Sequence, residues 1–202
     1  MKKEFFKALG ILLLLCFVLG CGGTSVKRYR ADKQIDLSGR WNDTDSRLVA
    51  EEMIKDCLMR PWRDRFFAKN KREPVVIVDA VSNKSHEHIS SQVFTKDLER
   101  SLINSGEIKF VASRDERKEV RTERDDQQTG LTAKETVKRK GFETGADFML
   151  QGTINSVKDE IKGRYVILYQ VNLELIDLTS NEKVWLGQKE IKKFVKKGKL
   201  SL

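Results

Sequence analysis

The chain has little of what site chemistry usually needs. It holds only 2 histidines, His86 and His88, and 3 cysteines, Cys16, Cys21 and Cys57. With Glu87 the two histidines make the one cluster that suggests a metal, since closely spaced imidazoles and a carboxylate in a loop can hold zinc. The spacing is not H-E-x-x-H, and no cysteine is available to complete a ligand set. The favoured reading is therefore a polar loop whose groups cap the next helix and bond to backbone. Hydrolase or transferase chemistry needs a nucleophile with an oriented base. Neither G-x-S-x-G nor a phosphate-cradling glycine loop occurs. The small residues of ETGAD read as a tight connection into a strand rather than a ligand loop. No enzyme, cofactor or metal is expected, and the chain shows no internal repeat or low-complexity tract.

What the chain does have begins at its start, MKKEFFKALGILLLLCFVLGCGG. Lys2 and Lys3 precede an apolar run from Leu12 to Leu19 that is shorter than the roughly 20 residues a membrane span needs. The pattern is that of a secretory signal peptide. Leu19, Gly20 and Cys21 then spell a bacterial lipobox, in which lipid is attached to the cysteine sulfur and cleavage falls just before it. Cys21 is thus expected as the lipidated N-terminus, with more than one acyl chain for stable anchoring. Gly22, rather than Asp, follows the cysteine, which favours the outer membrane. Once Cys16 leaves with the signal and Cys21 is acylated, Cys57 stands alone and no intramolecular disulfide is possible.

The formal net charge is +9, of which the leader carries a net +2, leaving +7. A basic balance often points to nucleic acid, but an exported lipoprotein rarely meets any, so no nucleic-acid partner is expected. The acidic partners outside the cytoplasm are headgroups, lipopolysaccharide and cell-wall carboxylates. The lysine-rich end, KKFVKKGKL, reads as a frayed soluble tail, or as a segment drawn to an anionic surface within a screening length of about 8–10 Å.

Residues 22–38 are polar and proline-free and read as a flexible tether, with a relaxed span of about 20–25 Å and an extended reach of about 60 Å. Asp43, Thr44 and Asp45 start a helix that runs to about Met59. Val49, Met53 and Cys57 recur on its apolar face, which makes Cys57 a core residue. Pro61 ends that helix and a short turn follows through Trp62, Phe66 and Phe67. PVVIVDAV reads as a strand buried on both faces. SQVFTKDLERSLINSG reads as a helix with Val93, Phe94, Leu98 and Leu102 near one face. IKFVAS is a short strand. Arg114, Arg117, Arg121 and Arg124 then form a basic stripe at spacings of three and four, with Val120 as the lone apolar residue of the segment. LTAKETVKRKG is expected to be one more helix, stopped by Gly141. Three strands close the chain, the clearest alternating at Tyr165, Ile167, Tyr169, Val171, Leu173 and Leu175. Short turn-rich links make them an antiparallel meander. The expected fold class is α/β (α+β): one domain with a mixed β-sheet and flanking helices.

Four stretches carry a resemblance: DLSGRWNDTDSRLVAEEMI, VSNKSHEHIS with its following helix, GADFMLQGTINS and YQVNLELIDLTSNEKVWLGQKEIKK. Together they resemble the penicillin-binding-protein activator lipoproteins of the LpoB type, from about Asp36 to Lys193. The resemblance implies a fold similar to the N-terminal domain of TolB. It also implies an outer-membrane lipoprotein that binds a class A penicillin-binding protein and stimulates its glycan polymerisation, with peptidoglycan as a further contact. The expected organisation is a signal peptide at 1–20, a lipidated tether at 21–38, the LpoB-like domain at 39–197 and a basic tail at 198–202. Arg117, Arg121 and Arg124 are the candidate partner-binding residues. The family's long proline-rich tethers have no counterpart here. The alternative role is a structural or assembly lipoprotein built on the same fold.

Overall fold

The computed structural model describes residues 24–196. The signal peptide, Cys21 and the basic tail lie outside the described residues. Within the first of two units, Met1–Lys33, Arg30 pairs with Asp32 at 2.7 Å and Lys33 sits over the Tyr29 ring. The second unit, Gln34–Leu202, holds all the regular structure among the described residues.

Two helices open it, α1 (Asp43–Met59) and α2 (Trp62–Asn70). The cap of α1 is Asn42, whose side chain accepts from the Asp45 N–H, while the Asp45 carboxylate accepts from the Asn42 N–H. That reciprocal box satisfies two otherwise orphaned donors. Val49, Ala50, Met53, Ile54, Cys57 and Leu58 are buried along one stripe. At the far end the Trp62 indole donates to the Cys57 carbonyl at 2.8 Å, satisfying a terminal acceptor just before Pro61 re-aims the chain. Burial pushes the Cys57 thiol up to about 12, the state of an inert core residue rather than a nucleophile.

Strand β1 (Val75–Asn83), helix α3 (Ser91–Ser105) and strand β2 (Lys109–Phe110) follow. Val75 to Val78 are buried as expected, but a register shift before Val81 exposes Asp79 and Ala80. On α3 the buried stripe is Phe94, Leu98 and Leu102, an uninterrupted i, i+4 series, and Val93 faces solvent at 51% exposure. Val93 is one residue off that series, so it does not share its face.

Helix α4 (Arg114–Gln127) buries no residue. The expected helix over LTAKETVKRKG does not form: residues 131–141 run as turns and irregular chain. That stretch has apolar residues only at Leu131, Ala133 and Val137, Leu131 is 90% exposed, and so no apolar face holds a short helix that is marginal alone.

Strands β3 (Phe148–Ile161), β4 (Arg164–Asp177) and β5 (Lys183–Lys196) form the antiparallel meander. The sheet order is β2-β1-β3-β4-β5, with β1 parallel to both β2 and β3. This is a mixed five-stranded sheet in one domain. Alternate residues of β4, Ile167 to Leu175, point into the core with Phe148, Leu150, Ile154 and Trp185. The opposite face carries the intervening residues. Among the described residues no helix is long and apolar enough to cross a membrane.

Candidate partner-binding surface

The His86–Glu87–His88 loop is held by side chains that point apart. Glu87 turns inward, where its carboxylate accepts from the Tyr169 hydroxyl at 2.7 Å and from the Trp41 N–H at 3.3 Å. The same hydroxyl accepts from the Trp41 N–H at 3.0 Å. Burial, then Glu87, pushes the Tyr169 phenol well above its ordinary range, so it stays a donor. His86 Nδ1 instead lies 2.7 Å from Ser156 Oγ. Among the described residues no group of three or more His, Cys, Asp and Glu is placed to hold a metal ion.

ETGAD is a connection tied at both ends by carboxylates. Asp147 accepts from both terminal nitrogens of Arg72, at 2.6 and 2.7 Å, and from the Val75 N–H at 2.8 Å. Burial pushes its carboxyl up, but Arg72 and Val75 outweigh burial and hold it below the ordinary aspartate value. At the other end Glu143 accepts from Arg121 at 2.7 Å and from Arg124 at 2.6 Å. Those two guanidinium groups hold the Glu143 carboxyl down to about 2.

The arginine stripe is thus a built surface and not a row of free charges. Ser113 and Glu116 cap the start of α4 reciprocally, and Glu116 also accepts from Lys96 of α3 at 2.5 Å. Lys96, then the Ser113 N–H, hold Glu116 down to about 2. Arg121 is exposed, Arg117 and Arg124 are half-buried, and Arg117 Nε is buried with no hydrogen-bond partner. Arg121 and Arg124 converge on one carboxylate, and Arg117 does not join them.

The sequence reading passed over the second face of the meander. Its rows are set by register: Gln151–Glu174–Leu186, Thr153–Asn172–Gln188, Asn155–Gln170–Glu190 and Val157–Leu168–Lys192. With Asp79 and Ser82 the first two rows line a groove of about 600 Å³. The period-2 pattern that marks the core residues marks these positions too, but only the register groups them.

A family model described as "Peptidoglycan-synthase activator LpoB" matches residues 45–191, which take in seven of the nine described helices and strands in full and most of the other two. The family so described is one of activators of peptidoglycan synthases. The chain belongs to the LpoB family. No curated protein matches it in sequence search. Among solved structures, the LpoB C-terminal domain from Salmonella enterica is 15% identical with a TM-score of 0.41, over 74% of this chain and 99% of that one. Lipoprotein GNA1162 from Neisseria meningitidis is 14% identical with a TM-score of 0.39, over 60% and 83%. The PelC dodecamer from Paraburkholderia phytofirmans is 15% identical with a TM-score of 0.35, over 60% and 72%. Likenesses at these values bear on no residue's role.

Proposed function

We propose that this chain is an outer-membrane lipoprotein, anchored through Cys21 and facing the periplasm, that binds a class A penicillin-binding protein and stimulates its glycan polymerisation. The observation that carries the proposal is the family match over residues 45–191, which spans most of the compact unit. An activator works by binding the active conformation of its target more tightly than the resting one. A tenfold stimulation needs a preference of about 1.4 kcal/mol.

The flank made by α4 and Glu143 is the proposed docking surface, with Arg117, Arg121 and Arg124 its basic anchors. A helix that buries no residue adds nothing to the core, and guanidinium groups are frequent hot spots at interfaces. The test is glycan polymerisation by each class A enzyme of the source organism, with and without the chain from Gly22 onward. A rise in rate with one enzyme is expected. The paired substitution Arg121→Ala and Arg124→Ala should reduce that rise while far-UV circular dichroism stays unchanged. Unchanged stimulation would make α4 a merely solvated face. No stimulation of any enzyme by folded protein would move the assembly role to first place.

A further inference from the structure

We propose that the tip of the β3–β4–β5 meander is a membrane-contact site for a bilayer bearing anionic headgroups, one that rests on the lipid-anchor reading of Cys21 for its orientation.

The tip is a ribbon that outruns the rest of the sheet. The last pair between β1 and β3 is Asn83 with Ile154. The loop after β1 reaches one step further, where the His86 N–H donates to Ser156 Oγ. From Val157 onward β3 pairs only with β4, and β4 in turn with β5 as far as Arg164 and Lys196.

Register then decides what each face of the ribbon carries. One face packs on the domain through Tyr165, Ile191 and Val195, with Tyr165 donating to the Ser38 carbonyl at 2.9 Å. The other face presents Val157 beside Leu168, Val166 beside Phe194, and Ile161 beside Arg164. Val157 is 68% exposed, Ile161 63% and Phe194 65%. A core residue would be nearly covered, so these aliphatic and aromatic groups form a patch that this domain leaves open. Patches of that kind mark contact sites rather than scattered surface residues.

Charge selects the occupant. Lys192, Arg164 and Lys196 lie on the face of the patch with Asp159, which shares the row of Val166 and Phe194, and Lys158, Lys162 and Glu160 lie beside it, for a net +3. Lys158 pairs with Glu160 at 2.6 Å, and its ammonium lies over the Tyr165 ring. Lys162, Arg164, Lys192 and Lys196 are exposed and have no ion-pair partner among the described residues, and the sequence continues with Lys197 and Lys199. Apolar side chains ringed by basic ones are the composition of interfacial anchors: the apolar groups enter the headgroup boundary while the cations meet anionic lipid.

Connectivity points the same way. The chain enters the compact unit at Gln34, and Ser38 and Gly39 lie directly against the ribbon. Gly39 takes a φ of 69°, and a side chain there would collide with Val195. Ser38 and Gly39 thus bring the start of the compact unit to the same end of the sheet as the tip. A single anchor fixes position, and a second contact fixes orientation, turning the opposite end of the sheet toward the wall.

The test uses the unlipidated chain from Gly22, which keeps the whole compact unit, so that binding reports the tip and not the acyl groups. Cosedimentation is measured with phosphatidylcholine vesicles, with and without phosphatidylglycerol. Binding is expected to the anionic vesicles only, weakening as salt shortens the screening length. Ile161→Ser with Phe194→Ser should weaken it about tenfold through lost apolar burial. Arg164→Gln with Lys192→Gln, which leaves the apolar patch intact, should weaken it by a similar factor of about ten. Equal binding to both kinds of vesicle, or equal binding by wild type and both variants, overturns the proposal. So does a tip variant that loses enzyme stimulation in a vesicle-free assay, which would make the tip a protein-docking surface. Mass spectrometry of the full chain recovered from membranes tests acylation of Cys21 separately. Vesicle binding without acylation would sink the anchor reading and keep the tip.

Discussion

The meander and the α4 flank are held by different physics. In β4 every second residue from Ile167 to Leu175 is at most 2% exposed, and all of them share one core with α1 and α3. From Arg114 to Asp147 the chain buries no side chain at all. It is fastened instead by carboxylates: Glu116 to Lys96 and Asp147 to Arg72 tie it to the rest of the fold, and Glu143 ties its own ends together through Arg121 and Arg124. Apolar burial is indifferent to salt and mild acid, whereas exposed ion pairs are weak, screened and titratable. The protein thus carries its candidate docking surface on a part whose attachment can loosen while the core stays folded, which is where locally unstable elements that adapt to partners are found.

The largest effect belongs to the core. Leu150→Ala or Ile154→Ala should cost about 2–5 kcal/mol of unfolding free energy, from lost burial plus the cavity left behind. Val120→Ala on α4, at 50% exposure, should stay within about 0.5 kcal/mol. Urea denaturation of the three variants measures the difference directly. Similar losses at all three sites would mean that α4 packs on the core after all, and the contrast between the regions would fail.

Next comes the polar joint inside the core. Tyr169→Phe removes the donor to Glu87 and the acceptor for the Trp41 N–H. It should cost about 1–3 kcal/mol because both partners are left short in a half-buried setting. It should also raise amide exchange in the loop from Ser85 to Ile89, where Glu87 is the tie. A loss below a few tenths of a kcal/mol would show that water replaces the hydroxyl without cost.

Much of the first region was readable from the sequence and little of the second. The alternation at Tyr165 to Leu175 specifies a half-buried strand, and Val49, Met53 and Cys57 specify a helix face, because both periods are local. The Phe94, Leu98 and Leu102 series was visible as well, and adding Val93 to it ignored a step of one residue. By contrast, Glu87 finds Tyr169 82 positions away and Asp147 finds Arg72 75 positions away. No local period encodes such a carboxylate's partner. The arginine spacing showed one face of α4 correctly, yet it could not show that Glu143 occupies Arg121 and Arg124. The patch of Val157, Leu168, Val166 and Phe194 was hidden for a related reason. Each residue alternates properly within its own strand, and only the pairing register collects them.

A smaller effect is expected from loosening the flank itself. Glu143→Gln removes the charge on which Arg121 and Arg124 converge. Global stability should hardly change, since exposed pairs contribute little. Hydrogen exchange from Arg114 to Asp147 should nevertheless rise, and high salt should raise it in the wild type while leaving β4 protected. If Glu143→Gln also frees the two arginines for a partner carboxylate, enzyme stimulation should rise or hold rather than fall. A fall would place Glu143 itself among the docking residues.

The smallest effect, and the one that separates the regions most cleanly, is acid. Glu116 and Glu143 are both held at about 2, below their ordinary value of 4.5, by Lys96 and Ser113 in one case and by Arg121 and Arg124 in the other. A carboxyl depressed on folding contributes stability that is complete above its unfolded value and is lost as pH falls through its folded one. These two pairings should therefore hold in full above pH 4.5 and release as pH drops toward about 2. Cys57 and the apolar face of β4 carry no charge that titrates in that window. Exchange or fluorine-label mobility on α4 should rise between these limits, before the far-UV signal of the meander changes. Glu143→Gln should remove part of the dependence, because the flank is then already partly loose at neutral pH. Simultaneous loss of both signals would mean that α4 and the sheet unfold as one unit, and that the ion pairs merely decorate a flank held by something else.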